Sequence, residues 1–201
     1  MPRTGLSSDQ LLLKIIQLAE QKIRDLGFKR LTLTQLANDL GVSHAALYKH
    51  VASKEALLDL ISEKWLMGID EQLKSISQKP MDAYECLLKW FITYHQLKRN
   101  KVRNDPEIYK TFNMAVEKKK EFVQQHLKEL NSQLTYIVER GKAEHMFDRF
   151  STKKTVDLLL KSTLGFHHPF LIVEQQHGDR ILELKNLIHT MVQGLKTQQQ
   201  T

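Results

Sequence analysis

One cysteine, four prolines and eight glycines are spread over 201 residues. A lone Cys86 can neither close an internal disulfide nor build a thiolate zinc site, so the chain is expected in a reducing compartment. Little proline and glycine argues against an all-β protein, whose many turns need them, and excludes collagen-like and low-complexity classes. No apolar run approaches the roughly 20 residues that span a bilayer. Asp9, Lys14 and Gln17 interrupt the apolar letters where a secretory signal would need an unbroken run. A cytoplasmic protein without membrane contact is expected.

What is present is enough apolar material to build a core. Hydrophobic residues make up 41% of the chain and charged residues 26%, too apolar a balance for a disordered polymer. Net charge is +7, which suits a polyanionic partner. The surplus does not locate that partner, because residues 1–64 hold 9 basic and 7 acidic side chains and the remainder holds 21 and 16. The densest basic stretch is Lys98, Arg99, Lys101, Arg103, Lys110, Lys118, Lys119 and Lys120. Its simplest reading is a solvated loop and helix face; an entrance for an anionic ligand is the sharper alternative.

Apolar letters recur at helical spacing almost throughout, without strand alternation or a fixed internal repeat, so the fold class is all-α. Ser7 and Gln10 have capping-box spacing before Leu12, Ile15, Ile16, Ala19, Ile23 and Leu26, and Gly27 ends that helix. Thr32 and Gln35 repeat the capping-box spacing before a short helix that stops at Gly41. Ser43 caps a third helix, His44 to about Val51, and Ser53 caps a fourth, running to about Ser75. Beyond it, one helix carries Tyr84, Leu87, Leu88, Phe91 and His95. Asp105–Pro106 reads as an N-cap with proline at the first helical position. A long helix carries Val123, Leu127, Leu130, Leu134 and Ile137, stopped by Gly141. Thr152 caps the next, Pro169 breaks it, and Asp179 opens the last. The tail Gln198–Gln200 is expected to fray.

Residues 32–51 have the length and punctuation of a helix-turn-helix: a short helix, a glycine, a brief turn and a second short helix. Ala37 is small where the two helices must approach, and Gly41 can adopt the left-handed conformation of the turn. Leu47 and Val51 share one face of the second helix, leaving His44, Ala45, Lys49, Tyr48 and His50 elsewhere. Such a helix can enter a DNA major groove and touch base edges, while lysines and a tyrosine hydroxyl hold phosphates.

The run from Leu31 to Leu58 closely resembles the DNA-binding domain of the tetracycline-repressor (TetR) family of bacterial transcription regulators. The shared skeleton is Thr32, Leu36–Ala37, Gly41–Val42–Ser43, Leu47–Tyr48, His50 and Lys54 with Leu57. The match covers about residues 8–65. It implies a DNA-binding domain over residues 1–53 and a helical effector-binding and dimerisation domain over residues 54–201, with helix 54–75 linking them. It implies a homodimer and a repressor that leaves a near-palindromic operator when a small molecule binds. Carried over position by position, the DNA contacts are Thr32, Thr34, Ser43, His44, Ala45, Tyr48, Lys49, His50 and Lys54. His44, Ala45 and Lys49 would face bases; Tyr48, His50 and Lys54 would hold phosphates. The chain departs from the family at Ala45–Ala46, where Gly or Pro then Thr is common, and at Val51, where Phe is common. Ala46 lacks the hydroxyl for one contact, although Ala45 can meet a thymine methyl.

The effector is expected near Trp90, Tyr94, His95, Tyr109, Phe112, Phe166 and His167, although aromatic residues at helical spacing also serve as plain core. The dimer surface is expected at Leu160 and Leu164 with the seam Ile181, Leu184, Ile188, Met191 and Leu195, stepped 3, 4, 3, 4. His167 and His168 point about 100° apart on a helix and do not suit one shared ion, so no metal or other cofactor is expected. Cys86 reads as a small buried residue. Without a glycine-rich phosphate loop, a nucleophile elbow or a His-Glu-x-x-His pattern, no enzyme is expected. The alternative is an architectural or chromosome-associated DNA binder whose helical part serves a protein partner.

Overall fold

A computed structural model describes residues 7–175 and 178–196; the expected frayed tail lies outside them. Eleven helices are found among the described residues, and no strand. They are α1 (Ser8–Leu26), α2 (Leu33–Asp39), α3 (His44–Tyr48), α4 (Lys54–Ser77), α5 (Ala83–Asn104), α6 (Pro106–Glu117), α7 (Glu121–Ala143), α8 (Thr152–Ser162), α9 (Leu164–His167), α10 (Leu171–Glu174) and α11 (Ile181–Leu195). No described helix is long and apolar enough to cross a membrane.

The chain forms two compact units. The first takes the residues up to Trp65 together with Asn104–Lys120, and the second takes Leu66–Arg103 together with the residues from Glu121 onward. A boundary after residue 53 is therefore not where the packing divides. The first three turns of α4 and the whole of α6 pack with the N-terminal helices.

In the first unit, Ser7 and Gln10 make the full capping box of α1. Gly27 ends the helix at φ 80°, its N–H bonded to the Ile23 carbonyl. Ile15, Ile16, Ala19 and Ile23 meet Leu36, Ala37, Leu47, Leu57 and Ile61 in one core, which Ile108 of α6 joins. Asp105 does not cap α6 with its side chain. Its carboxylate instead accepts from Arg24 Nε at 2.5 Å, tying the start of α6 to the last turn of α1. Trp65 completes the unit by meeting Tyr109 and Phe112 edge to face.

In the second unit, α7 packs on α8 and α8 on α11. Gly141 does not terminate α7, which continues to Ala143. A Cβ at Gly141 would lie 2.2 Å and 2.3 Å from two carbons of the Phe147 ring, so glycine is required there for a close approach. The cap of α8 is Ser151, one residue before the expected Thr152. Pro169 does break the helix: His168 is extended, at ψ 133°. Cys86 is buried, its thiol donating to the Ile76 carbonyl at 3.4 Å.

Candidate nucleic-acid interface and effector core

The helix-turn-helix forms as its punctuation predicts. Thr32 Oγ1 accepts from Gln35 N at 3.3 Å, and Ser43 Oγ accepts from Ala46 N at 3.2 Å. These bonds satisfy N–H groups that the first turn of each helix would otherwise leave unpaired. Gly41 sits at φ 65° between the helices. Leu47 is fully buried and anchors α3 against the core. The helix ends earlier than expected, at Tyr48, and His50 N closes the last turn on the Leu47 carbonyl at 3.0 Å. Val51 then turns into the core.

With one face of α3 pinned, the other faces outward. Ser43, His44, Ala45, Tyr48 and Lys49 are exposed, as are Thr32 and Thr34 at the start of α2; His50 and Lys54 are half-buried. Tyr48 is 50% exposed, beside Lys49 in sequence and one helical turn from His44. Lys54 Nζ donates to the Lys29 carbonyl at 2.8 Å, which leaves two of its three N–H groups for another acceptor. Ser53 Oγ accepts from Ala56 N at 3.0 Å and caps α4 beside it.

The expected effector residues separate. Tyr109 and Phe112 belong to the aromatic cluster of the first unit, whereas Trp90, Tyr94, His95, Phe166 and His167 are buried in the second. Four groups outside the expected set join them: Asp70, Lys98, His126 and Gln133. The Tyr94 hydroxyl lies 3.4 Å from His126 Nε2, and His126 Nδ1 lies 2.6 Å from Asp70 Oδ1. A neutral imidazole protonated at Nδ1 satisfies both bonds, with Tyr94 donating and Asp70 accepting. Burial holds His126 below its usual range although Asp70 pulls the other way. Trp90 Nε1 donates to Gln133 Oε1 at 2.9 Å, and Gln133 Nε2 donates to the Asp70 carbonyl at 3.0 Å. His167 stacks on Tyr94 with ring centres 5.0 Å apart and shares a 3.1 Å bond with Thr163 Oγ1.

Lys98 is the exception to the solvated reading of the basic stretch, whose other seven members are exposed or half-buried. It is 1% exposed, and its Nζ lies 5.5 Å from the centre of the Tyr94 ring. Burial pushes it down to about 7, with the nearby Asp70 opposing that shift. His95 donates through Nδ1 to the Phe166 carbonyl at 2.7 Å. Its Nε2 is buried with no hydrogen-bond partner. Among the described residues, no three His, Cys, Asp or Glu side chains are grouped to hold a metal.

Sequence signals for the missed groups exist. Tyr94 and Lys98 are one helical turn apart. His126 lies on the stripe of Val123, Leu130 and Leu134, where hydropathy predicts a buried Leu127, yet Leu127 is 51% exposed. Hydropathy favours the leucine; the packed face runs through the histidine.

The expected dimer seam is also corrected in part. Leu184 and Ile188 are fully buried within a single chain and Leu195 is 4% exposed, so these three belong to the core of their own subunit. Leu160, Ile181 and Met191 are half-buried, and Leu164 is 40% exposed. Leu182, absent from the expected seam, is 69% exposed.

A family model described as bacterial regulatory proteins, tetR family, matches residues 15–61. Another, described as tetracyclin repressor-like, C-terminal domain, matches residues 83–187, more than half of the chain. No curated protein matches. Among solved structures, a TetR/AcrR-family transcriptional regulator from Thermobifida fusca YX-ER1 is 16% identical, with 93% of this chain and 99% of that one covered at a TM-score of 0.68. A tetR-family regulatory protein from Rhodococcus RHA1 is 15% identical, with 96% and 100% covered at 0.64. The transcriptional regulator FadR from Bacillus subtilis, solved in complex with stearoyl-CoA, is 13% identical, with 90% and 98% covered at 0.61. At these identities the likeness establishes the fold; the two family models carry the assignment, and the chain belongs to the TetR family of ligand-responsive, DNA-binding bacterial transcription regulators.

Proposed function

We propose that this protein is a homodimeric repressor that reads a near-palindromic operator through α3 and leaves it when a small molecule binds in the second unit. The observation that carries the DNA-reading part is the outward face of α3, held by Leu47 and capped by Ser43. On this reading His44, Ala45 and Lys49 meet base edges, and Tyr48, His50 and Lys54 meet phosphates. Thr32 and Ser43 spend their hydroxyls on caps, so their part is to aim the helix N-termini at the backbone. A two-fold dimer places its half-sites about one helical turn, roughly 34 Å, or a multiple apart.

The effector is read around Tyr94, His95, Phe166 and His167. Support comes from the buried polar groups of that core, and above all from His95 Nε2, an acceptor awaiting a donor. Buried polar atoms are ordinarily paired, and a ligand hydroxyl or N–H would pair this one. FadR of Bacillus subtilis, whose fold is shared, was solved with an acyl-CoA, which makes a long acyl compound a reasonable first effector to try. The architectural alternative is not favoured by the family to which the chain belongs.

Selection of bound sequences from random duplex DNA tests the first part. An enriched palindrome is expected. Lys54→Ala should weaken binding to every sequence alike, whereas His44→Ala and Lys49→Ala should change which bases are preferred. Equal losses on selected and random DNA for the latter two would remove them from base reading.

A further inference from the structure

On the first unit, a groove of about 710 Å³ runs between the α1–α2 turn and α6. Its lining includes Leu26, Lys29, Arg30, Glu107, Lys110 and Met114. Three cations face one carboxylate, so the groove is net basic. Lys29 and Arg30 are exposed. Lys110 is 61% exposed and pairs with Glu107 one turn away. An exposed pair of this kind contributes little, so Lys110 can exchange Glu107 for another anion. The groove is also continuous with the DNA-reading surface. Lys29 presents its carbonyl to Lys54 Nζ at 2.8 Å, and Lys29 and Arg30 directly precede Leu31 and Thr32, the N-cap of α2.

We propose that this groove carries the sugar-phosphate backbone of the operator, with Lys29, Arg30 and Lys110 as phosphate contacts beyond the helix-turn-helix, so that α6 itself grips the DNA. The inference rests on the reading of α3 as the DNA-reading helix. Its occupant is DNA because the charge is complementary and because two of the cations, Lys29 and Arg30, adjoin Lys54 and Thr32, which already border the backbone on that reading. Exposed Leu26 and Met114 offer apolar surface against which deoxyribose carbons can lie. Contacts to phosphate position a protein and supply salt-dependent affinity without reading sequence. The groove therefore sets how tightly the operator is held and leaves the base preference to α3.

The test measures operator affinity across a salt series for the full chain and for K29A/R30A/K110A. All three side chains are exposed, and circular dichroism checks that the fold is kept. The variant should bind on the order of tenfold or more weakly at about 0.15 M salt, with its log–log salt slope shallower by about 0.9 for each phosphate that is no longer neutralised. Its selected sequence should be unchanged. Glu107→Gln, which removes the one carboxylate, should act in the opposite direction and tighten binding. Neutral methylphosphonate linkages scanned along the operator should weaken the wild type at phosphates to which the triple variant is indifferent. A triple variant with wild-type slope and wild-type methylphosphonate profile would overturn the proposal, and would leave the groove to an acidic protein segment. A wild type that selects no operator at all would overturn both this inference and the DNA reading on which it rests.

Discussion

Lys98 shows what one side chain can do to the pH response of a whole fold. Its ammonium sits among Tyr94, His126, His167 and Asp70, and burial pushes it down to about 7, from about 10.4 for a solvated lysine. Between those values the unfolded chain binds a proton that the folded chain has released. The contribution of Lys98 to stability therefore rises as pH climbs from about 7 towards 10. Burial also lowers His95 and His126 and takes His167 to about 3. For these three the unfolded chain takes up protons first, so stability falls as pH drops below about 6.5. Lys98→Met, similar in length and apolar, should abolish the alkaline gain and keep the acid loss. Thermal unfolding at about pH 5, 7, 9 and 10 checks this: the advantage of the variant over the wild type should be largest near or below pH 7 and vanish towards pH 10. Parallel curves would mean that another group titrates.

At the scale of elements, two glycines inside helices have opposite meanings. Gly141 of α7 faces the fully buried Phe147 ring, whereas nothing lies within 4 Å of a Cβ added at Gly68 of α4. Gly141→Ala should destabilise the protein by about 1–3 kcal/mol through overpacking. Gly68→Ala should stabilise it by about 0.5–1 kcal/mol, because alanine loses less backbone freedom in a helix. Thermal or denaturant unfolding of the two variants separates these signs; a neutral Gly141→Ala would mean that Phe147 can swing aside. The element α6 shows the same dependence on partners. Its sequence announces Asp105–Pro106 as a start, but the carboxylate goes to Arg24 across a separation of 81 residues. That partner is chosen by the packing of α6 on α1.

For the whole molecule, the question is which apolar surface is left for a second copy. Ile188 is fully buried in one chain and Leu182 is 69% exposed on the same helix. Ile188→Asp should therefore cost at least about 3 kcal/mol, since it removes core packing and buries a carboxylate. Leu182→Glu should leave the fold intact and shift the homodimer towards monomer, with loss of operator binding. Light scattering and unfolding curves on the two variants decide the matter. A folded, monomeric Ile188→Asp protein would return the seam to the dimer surface. The division into compact units belongs to this scale too: α6 follows α5 in sequence but packs with α1, so no linear boundary could express it.

Local chemistry settled much of this protein in advance. Caps at Ser7, Thr32, Ser43 and Ser53 and glycines at positions 27 and 41 fix helix ends through groups a few residues apart, so they can be read directly from the chain. The helix-turn-helix is such a local object, which is why its outward residues were legible. Burial is a property of what comes from elsewhere. Whether Lys98 is solvated, whether His126 or Leu127 faces inward, and whether Leu184 and Ile188 serve the core or a partner depend on helices far away in sequence. Helical periodicity marks a stripe to within about one residue, roughly 100° of rotation, and only the tertiary packing chooses the side chain within it. That choice made a polar core out of Asp70, Tyr94, Lys98, His126 and His167, residues that no local rule brings together.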